Sequence, residues 1–478
     1  MFHTYVAKFR GGMKVKTTSK SVSFKVEKKH ADTLTPVGIF KRLSGKHKFL
    51  LESSIPHETK GKYSYIGADP YKEIIGEGNE TIVINHESGK KQRMKKHIFL
   101  YLIEDFPKFQ VDLPLPFPGG AVGYIGYDAI RNYKHIDSSL EDDLHMPDAH
   151  LMVYKSLIVY EHKSETAHLI TINIDDEQED VLDNRIKALK EMIDQQVHIP
   201  EPESSSVSFQ PDIPKKEFEH KVAKAKRYID QGIAEQIVLS QRMEANIPGD
   251  PFSFYRKLRT ANPSPYMFYI DFQDYLIFGA SPETLIQTDG KNVVTNPIAG
   301  TRPRGITPAE DEQLMKDLLE DRKELSEHEM LVDLSKKELS ITCQENSIHV
   351  PVYMNVEKYE HVMHLVSEVH GTLKDNFTSF DALIECLPAG TVSGSPKVQA
   401  MEVINELEDK KRGFYGGGIG YISFNHDLNI ALAIRSLVIK ENKAYLQTGA
   451  GIVKDSVPKD EYMETMNKAK SLMKSNLN

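Results

Sequence analysis

The chain has 478 residues, a length that predicts two or three domains and excludes a peptide or a minimal binding module. Hydrophobic residues make up 40% and charged residues 27%, which is typical of a globular protein with large cores. The formal net charge of −9 disfavours binding of nucleic acid through a basic surface. No apolar stretch is long enough to span a bilayer, so we expect no membrane association. Two cysteines, Cys343 and Cys386, make no disulfide framework, which favours a reducing compartment, the cytoplasm.

Residues 1–30 are basic, with eight lysines and arginines against a single acid, Glu27. They contain no apolar core of a secretory signal, and we interpret them as a tail followed by the first strand. Further on, short apolar or alternating runs predict strands. These runs are residues 49–51, 63–66, 81–84, 121–124 and 168–174. A helix is predicted at residues 180–195.

Residues 198–215 combine prolines with serines, a mixture that the interiors of helices and sheets both reject. We interpret them as a linker between an N-terminal domain, residues 31–197, and a second domain, residues 216–478.

The second domain mixes predicted helices and strands without the strict alternation of a doubly wound fold. Its helices are predicted at residues 216–232, 311–339, 398–408 and 460–473. Its strands are predicted at residues 237–242, 266–271, 275–279, 419–424, 430–437 and 444–450. The pattern favours an α+β fold with antiparallel sheets packed against helices.

One internal similarity links the two halves. Residues 119–125 read GGAVGYI, and residues 417–422 read GGIGYI. Either a sheet element is duplicated, or two glycine-rich strands are alike by chance.

Two pairs of acids have helical i, i+3 spacing, Glu324 with Glu327 and Glu461 with Glu464. Each pair alone is typical of a solvated helix face. If the two helices converge, four carboxylates would form an oxygen-rich site suited to Mg²⁺.

Residues 296–305 place Thr301, Arg302 and Arg304 in one segment with glycines and prolines. Guanidinium groups and backbone amides bind carboxylates, although a basic structural loop has the same composition. Polar turns recur at residues 389–397 and 448–451. Together these segments favour a small substrate with several negative charges.

In their order along the chain, six segments resemble the chorismate-utilising enzymes, most closely those of the anthranilate synthase component I type. The segments are residues 297–305, 324–334, 359–369, 389–398, 412–421 and 448–470, within a resemblance that spans residues 34–473. The resemblance implies the fold of that family, in two intertwined parts. It also implies a lyase that aminates chorismate with ammonia in an Mg²⁺-dependent reaction and then eliminates pyruvate. The product, anthranilate, begins tryptophan biosynthesis.

The resemblance also implies site residues. Glu283 matches the family's general acid, and His364 and Thr391 match residues that assist the loss of pyruvate. Mg²⁺ would be held by Glu324, Glu327, Glu461 and Glu464. The implied substrate-binding positions are Ala299, Gly300, Thr301, Tyr415, Arg435, Gly449, Ala450, Gly451 and Lys468.

The residues at two positions distinguish the different activities within the family. Gln236 stands where the water-adding isochorismate and salicylate synthases place a lysine base, and ammonia needs no such base. Ala299 stands where many aminodeoxychorismate synthases place a nucleophilic lysine. Both residues favour the anthranilate reaction, with those two activities as alternatives.

The N-terminal domain resembles the family's feedback site for L-tryptophan. The implied tryptophan-binding residues are Glu52, Ser53, Lys62, Pro265, Tyr266, Met267, Phe268, Ile419 and Tyr421. Glu52 and Ser53 would hold the amino group of the inhibitor, and the apolar residues would enclose its ring.

The chain shows no amidotransferase nucleophile motif at either cysteine, so glutamine use would require a glutamine amidotransferase subunit, component II, in a hetero-oligomer. One segment departs from the family pattern, because Lys336, Glu338 and Ser340 replace its usual Arg, Asp and Gly. A glycine lost from a turn at Ser340 would cause strain. This departure motivates a further alternative, a non-catalytic paralogue.

Overall fold

The computed structural model describes residues 20–53, 61–136, 140–198, 201, 207–247, 249–360 and 362–473. Most of the predicted basic tail and residues 199–200 and 202–206 of the predicted linker therefore lie outside the described residues.

The described residues form twenty-six strands, twelve α-helices and a 3₁₀ helix at Glu345–Ser347. The strands are β1 (Lys20–Ser21), β2 (Phe24–His30), β3 (Phe49–Glu52), β4 (Tyr63–Gly67), β5 (Lys72–Glu77), β6 (Glu80–Asn85), β7 (Lys91–Met94), β8 (Phe109–Gln110), β9 (Gly120–Ile125), β10 (Ala149–Tyr154), β11 (Ser156–Glu161), β12 (Thr166–Ile172), β13 (Gln210–Pro211), β14 (Gln236–Asn246), β15 (Tyr266–Asp271), β16 (Leu276–Ser281), β17 (Thr284–Asp289), β18 (Asn292–Thr295), β19 (Ile298–Pro303), β20 (His349–Lys358), β21 (Val362–Thr372), β22 (Gly394–Ser395), β23 (Gly418–Ser423), β24 (Leu428–Leu432), β25 (Ser436–Lys440) and β26 (Lys443–Ile452). The helices are α1 (Pro36–Arg42), α2 (Ile98–Glu104), α3 (Ala129–Lys134), α4 (Glu179–Asp194), α5 (Lys215–Asp230), α6 (Pro251–Ala261), α7 (Pro308–Glu320), α8 (Arg322–Thr342), α9 (Ser379–Cys386), α10 (Gly390–Ser393), α11 (Lys397–Leu407) and α12 (Pro458–Met473).

Two large sheets, each of twelve described strands, dominate the fold. The first has the order β19-β21-β18-β17-β24-β23-β9-β10-β5-β6-β7, with β20 also on β21. The second has the order β13-β14-β26-β25-β16-β15-β3-β4-β11-β12-β2, with β22 also on β14. Neighbouring strands in both sheets are antiparallel, and helices pack on them, which confirms the predicted α+β class.

Both sheets run through both halves of the chain. In the second sheet β3 pairs with β15, with Leu51 opposite Phe268. In the first sheet β9 pairs with β23. The largest hydrophobic core likewise contains Phe49 and Phe117 from the N-terminal half together with Phe268 and Phe424. The two parts are therefore intertwined, as the sequence predicted.

The glycine-rich similarity coincides with the β9–β23 pair, in which Gly123 lies opposite Gly420. A Cβ on Gly123 would lie 2.0 Å from the carbonyl oxygen of His150, and a Cβ on Gly420 would lie 2.1 Å from that of Asn429. Both strands therefore require glycine at this point, which gives a physical reason for their shared pattern.

The predicted helix at residues 311–339 is wrong as a single element, because it divides into α7 and α8 at Asp321. Asp321 is extended, with φ −74° and ψ 104°, and its carboxylate accepts hydrogen bonds from the amides of Lys323 and Glu324. An acid that caps a helix N-terminus in this way starts a new helix. None of the helices in the described part of the chain is long and apolar enough to cross a membrane.

Residues 336–341, the segment that departs from the family pattern, lie inside α8 and contain no turn. Ser340 donates its hydroxyl to the carbonyl of Lys337 at 2.7 Å, and Glu338 pairs with Lys397 at 2.7 Å. The predicted strain at Ser340 therefore does not arise, because a helical position needs no glycine.

Candidate active site

A cavity of about 630 Å³ lies between β14, β26, the β19–β21 pair, α8 and α12. All the predicted catalytic, metal-binding and substrate-binding residues except Ala450 line it. They are Gln236, Glu283, Ala299, Gly300, Thr301, Glu324, Glu327, His364, Thr391, Tyr415, Arg435, Gly449, Gly451, Glu461, Glu464 and Lys468. The fold thus brings together residues from both ends of the segment 216–478.

The side chain of Ala450 packs in a hydrophobic cluster with Leu239 and Ile452 instead of the cavity wall. Its neighbours Gly449 and Gly451 do line the cavity. Alternation of side chains along β26 explains this difference, since successive residues of a strand face opposite ways.

Glu283 is buried at the cavity wall, just before β17. Burial raises the pKa of its carboxyl group to about 8, while the hydrogen bond from Thr391 and the charge of Lys468 oppose that rise. The hydroxyl of Thr391 donates to Oε1 of Glu283 at 2.9 Å. The carboxyl group is therefore largely protonated at neutral pH and able to give up a proton.

His364 lies on β21, with Nδ1 3.2 Å from the carbonyl oxygen of Gly300 and 3.0 Å from Oγ1 of Thr301. Gly300 has a positive φ of 75° at an irregularity in the β19–β21 register. Burial, followed by the charge of Arg435, lowers the pKa of His364 to about 4. Because a carbonyl oxygen only accepts, Nδ1 carries the proton and Nε2 keeps its lone pair.

Four carboxylates line the cavity, from Glu324 and Glu327 on α8 and from Glu461 and Glu464 on α12. Burial raises the pKa of Glu327, and so do the charges of Glu324 and Glu464. Burial, with a contribution from Glu464, also raises the pKa of Glu461. This mutual repulsion and the oxygen-only donor set fit a hard divalent cation.

Three of these acids are bound to donors of the chain. Gln236 donates Nε2 to Oε1 of Glu327 at 2.9 Å. Lys468 contacts Glu464 at 2.7 Å, and Arg302 contacts Glu324 at 3.2 Å. A cation at the four acids would compete with these contacts.

The two arginines of residues 296–305, for which the sequence left carboxylate binding and a structural loop open, pair with acids of the chain. Arg302 contacts Asp321 and Glu324, and Arg304 contacts Asp311 at 2.7 Å. The positive charges on the cavity wall come from other residues, Arg435, Lys468 and Lys323.

The sequence interpretation missed several polar residues of the cavity wall. They are Lys323, Gln447, Asp460 and Asn467. For Asp460 and Asn467, helical spacing was the available signal. Both lie about one helical turn from Glu464, which the sequence did single out.

A second cavity, of about 650 Å³, lies where β3 meets β15 and β23. All nine residues predicted to bind tryptophan line it. Glu52 accepts hydrogen bonds from the hydroxyl of Tyr255 at 2.7 Å and from Nε of Arg259 at 3.0 Å. Oε1 of Glu52 and the hydroxyl of Ser53 are buried and have no partner among the described residues. They are therefore available to a ligand with hydrogen-bond donors.

Comparison with known proteins agrees with this geometry. A sequence profile of the chorismate binding enzyme family matches residues 46–474. The fold is shared with the menaquinone-specific isochorismate synthase from Escherichia coli, with a TM-score of 0.71 at 18% identity over 99% of both chains. The chain belongs to the chorismate-binding enzyme family.

Three relatives with higher sequence identity share one name. Anthranilate synthase component 1 of Lactococcus lactis is 42% identical over 94% of this chain and 99% of the relative, and that of Aquifex aeolicus is 40% identical over 93% and 92%. The crystal structure of anthranilate synthase component I from Streptococcus pneumoniae superposes with a TM-score of 0.80 at 40% identity, covering 93% of this chain and 98% of that one. Within the family, the chain belongs with anthranilate synthase component 1.

Proposed function

We propose that the chain is the chorismate-binding, ammonia-using large subunit of anthranilate synthase, an Mg²⁺-dependent lyase inhibited by L-tryptophan. The observation that carries the proposal is one cavity in which the buried acid Glu283 faces the same space as four carboxylates and two cations, Arg435 and Lys468. Chorismate carries two carboxylates, which the cations and a metal would bind.

In the first step, ammonia forms a bond to the ring carbon next to the carboxylate-bearing carbon, and the ring hydroxyl leaves. Glu283 gives its proton to that hydroxyl, which departs as water. The new ammonium group releases one proton to solvent, which balances the proton that Glu283 later regains. A carboxyl group with a pKa near 8 is suited to this role because it holds the proton at neutral pH.

In the second step, the enolpyruvyl group leaves as pyruvate and the ring becomes aromatic. The ring carbon that carries the new amine loses its hydrogen as a proton, and the methylene carbon of the leaving group gains one. His364 serves as the base because its Nε2 is unprotonated at neutral pH. Thr301 and Gly300 orient its ring through Nδ1.

Glu324, Glu327, Glu461 and Glu464 would hold Mg²⁺. When bound, the ion orients the ring carboxylate of chorismate and withdraws charge from it. Gln236 and Ala299 favour ammonia over the rival nucleophiles. Gln236 has no basic nitrogen to activate water, and the methyl group of Ala299 cannot attack the ring.

The second cavity supports inhibition by tryptophan. The unpartnered oxygens of Glu52 and Ser53 would accept from the ammonium group of the inhibitor. Met267, Phe268 and Ile419 offer apolar surface for the indole ring, and Pro265, Tyr266, Tyr421 and Lys62 complete the wall.

We infer that ammonia reaches the cavity from a separate glutamine amidotransferase subunit, component II. Cys343 and Cys386 are both buried and unpaired, and burial raises the pKa of each thiol, so neither is suited to attack glutamine. Two free thiols also fit a reducing compartment, the cytoplasm.

The test compares nitrogen sources. The purified chain, with chorismate and Mg²⁺, should form fluorescent anthranilate with ammonium but none with glutamine. Addition of an anthranilate synthase component II from a related organism should restore glutamine use. Formation of no product with ammonium would refute the proposal.

A further inference from the structure

A cluster of two histidines and a glutamate lies outside both cavities. His47 precedes β3, Glu73 lies on β5, and His86 follows β6. Ligand atoms of all three side chains lie within 4.8 Å of one another. The Nε2 atoms of His47 and His86 are each 3.2 Å from Oε1 of Glu73.

A third imidazole lies beside this cluster. His150 on β10 places Nε2 3.9 Å from Oε2 of Glu73. The residue is only 5% exposed, and its Nε2 has no hydrogen-bond partner among the described residues. An unpartnered buried nitrogen next to a carboxylate needs an explanation.

A chain of hydrogen bonds determines the tautomer of His150. The hydroxyl of Tyr124 donates to the carbonyl of Pro147 at 2.9 Å, so its oxygen accepts from the hydroxyl of Tyr275 at 3.2 Å. The oxygen of Tyr275 then accepts from Nδ1 of His150 at 2.7 Å. His150 therefore carries its proton on Nδ1 and presents the lone pair of Nε2 to Glu73.

Two electron-rich groups that face each other in a buried site repel unless a cation is bound beside them. A cation bound to Oε1 of Glu73 would relieve this repulsion. Neutral imidazoles are the form that binds metal ions.

The spacing fits a transition metal. Zn²⁺ binds nitrogen and oxygen at about 2.0 to 2.1 Å in a tetrahedron, which places its ligand atoms about 3.3 Å apart. The two distances of 3.2 Å match this value. The side chain of His86 is 36% exposed, which leaves an entry path for the ion.

We propose that His47, Glu73 and His86 form a Zn²⁺ site separate from the active site, with the fourth tetrahedral position open to solvent. The ion would tie the loop before β3 of one sheet to β5 and β6 of the other. β3 also carries Glu52, which lines the second cavity. The ion would therefore stabilise the position of a strand that contributes to the wall of that cavity.

A cluster of three acids outside both cavities, Glu87, Asp175 and Glu177, differs from this site. Lys155 contacts all three of these acids, and Arg185 contacts Glu87 and Glu177. Their charges are balanced by the chain, so they need no metal.

The experiment uses Co²⁺ and Zn²⁺ with the full chain carrying Glu327→Gln and Glu461→Gln, which weaken the active-site acids. We expect one equivalent of Co²⁺ to give the intense visible absorption of a tetrahedral site, and Zn²⁺ to displace it. We also expect Zn²⁺ to raise the melting temperature. Adding His86→Ala should remove the absorption and the temperature shift, and so should Glu73→Gln, which keeps the side-chain shape.

His220→Ala, which truncates an exposed histidine on α5, is the matched control and should retain both signals. Absence of the tetrahedral absorption in the parent protein would overturn the proposal. Signals that survive both His86→Ala and Glu73→Gln would also overturn it. Catalysis is not measured in this experiment, so its result is independent of the proposed reaction.

Discussion

The hydroxyl of Tyr266 lies 2.8 Å from Oγ1 of Thr284. Tyr266 lines the second cavity, and Thr284 follows Glu283, the proposed general acid. Two side chains therefore connect the proposed inhibitor site to the proposed general acid. A ligand that displaces Tyr266 would alter the backbone that positions Glu283.

Tyr266→Phe should weaken inhibition by tryptophan. The variant keeps the ring that lines the cavity but loses the hydrogen bond to Thr284. Loss of one buried hydrogen bond corresponds to a rise of about threefold to tenfold in the inhibition constant. The measurement is the tryptophan dependence of anthranilate formation, with each variant referred to its own uninhibited rate. An unchanged inhibition constant would show that the contact plays no part in feedback.

Ser53→Ala should also weaken inhibition, because it removes an oxygen that has no partner among the described residues. We expect the dissociation constant of tryptophan, measured by calorimetry, to rise about threefold to tenfold. Ser156→Ala is the matched control, since Ser156 bonds to Thr171 on a strand away from the cavity. Equal tryptophan affinity in the two variants would contradict the role given to Ser53.

The pKa of Glu283 predicts a pH dependence. The group acts as an acid while protonated, so kcat for chorismate with ammonia should fall as the pH rises through about 8. Free ammonia increases over the same range, and rates must therefore be compared at equal concentrations of the unprotonated amine.

Glu283→Gln cannot give up a proton and should lower kcat by roughly 10²- to 10⁴-fold. A Gln variant with near-normal kcat would remove Glu283 from the mechanism.

Glu327→Gln should greatly reduce Mg²⁺-dependent turnover. Glu327 is half-buried between other acids, and the substitution removes a ligand charge while relieving repulsion. We expect at least about a 100-fold rise in the Mg²⁺ concentration needed for half-maximal activity, with no loss of thermal stability. Glu329→Gln, at an exposed position of the same helix, should behave as the parent protein. Normal Mg²⁺ dependence in Glu327→Gln would contradict the metal assignment.

The local elements of this fold could be predicted because their signals are local. The helices predicted at residues 180–195 and 216–232 appear as α4 and α5, displaced by only one or two residues. The break at Asp321 was missed because the apolar pattern continues across it. A capping acid is readily mistaken for an ordinary helical residue.

The long-range pairings could not be predicted from the sequence. The partners β3 and β15 are separated by over two hundred residues, and nothing in either strand specifies the other. The similar sequences of β9 and β23 pointed to a relation, but not to direct pairing. For the site, the resemblance supplied the residue types. Only the structure placed Ala450 on the far side of β26 and paired Arg302 with acids of the chain.

The central claim is that this chain alone converts chorismate and ammonia to anthranilate. The most direct measurement is product identification by chromatography and mass spectrometry after incubation with chorismate, Mg²⁺ and ammonium. We predict anthranilate and pyruvate in equal amounts, and neither product when Mg²⁺ is chelated. Accumulation of isochorismate, salicylate or aminodeoxychorismate, or recovery of unreacted chorismate alone, would contradict it.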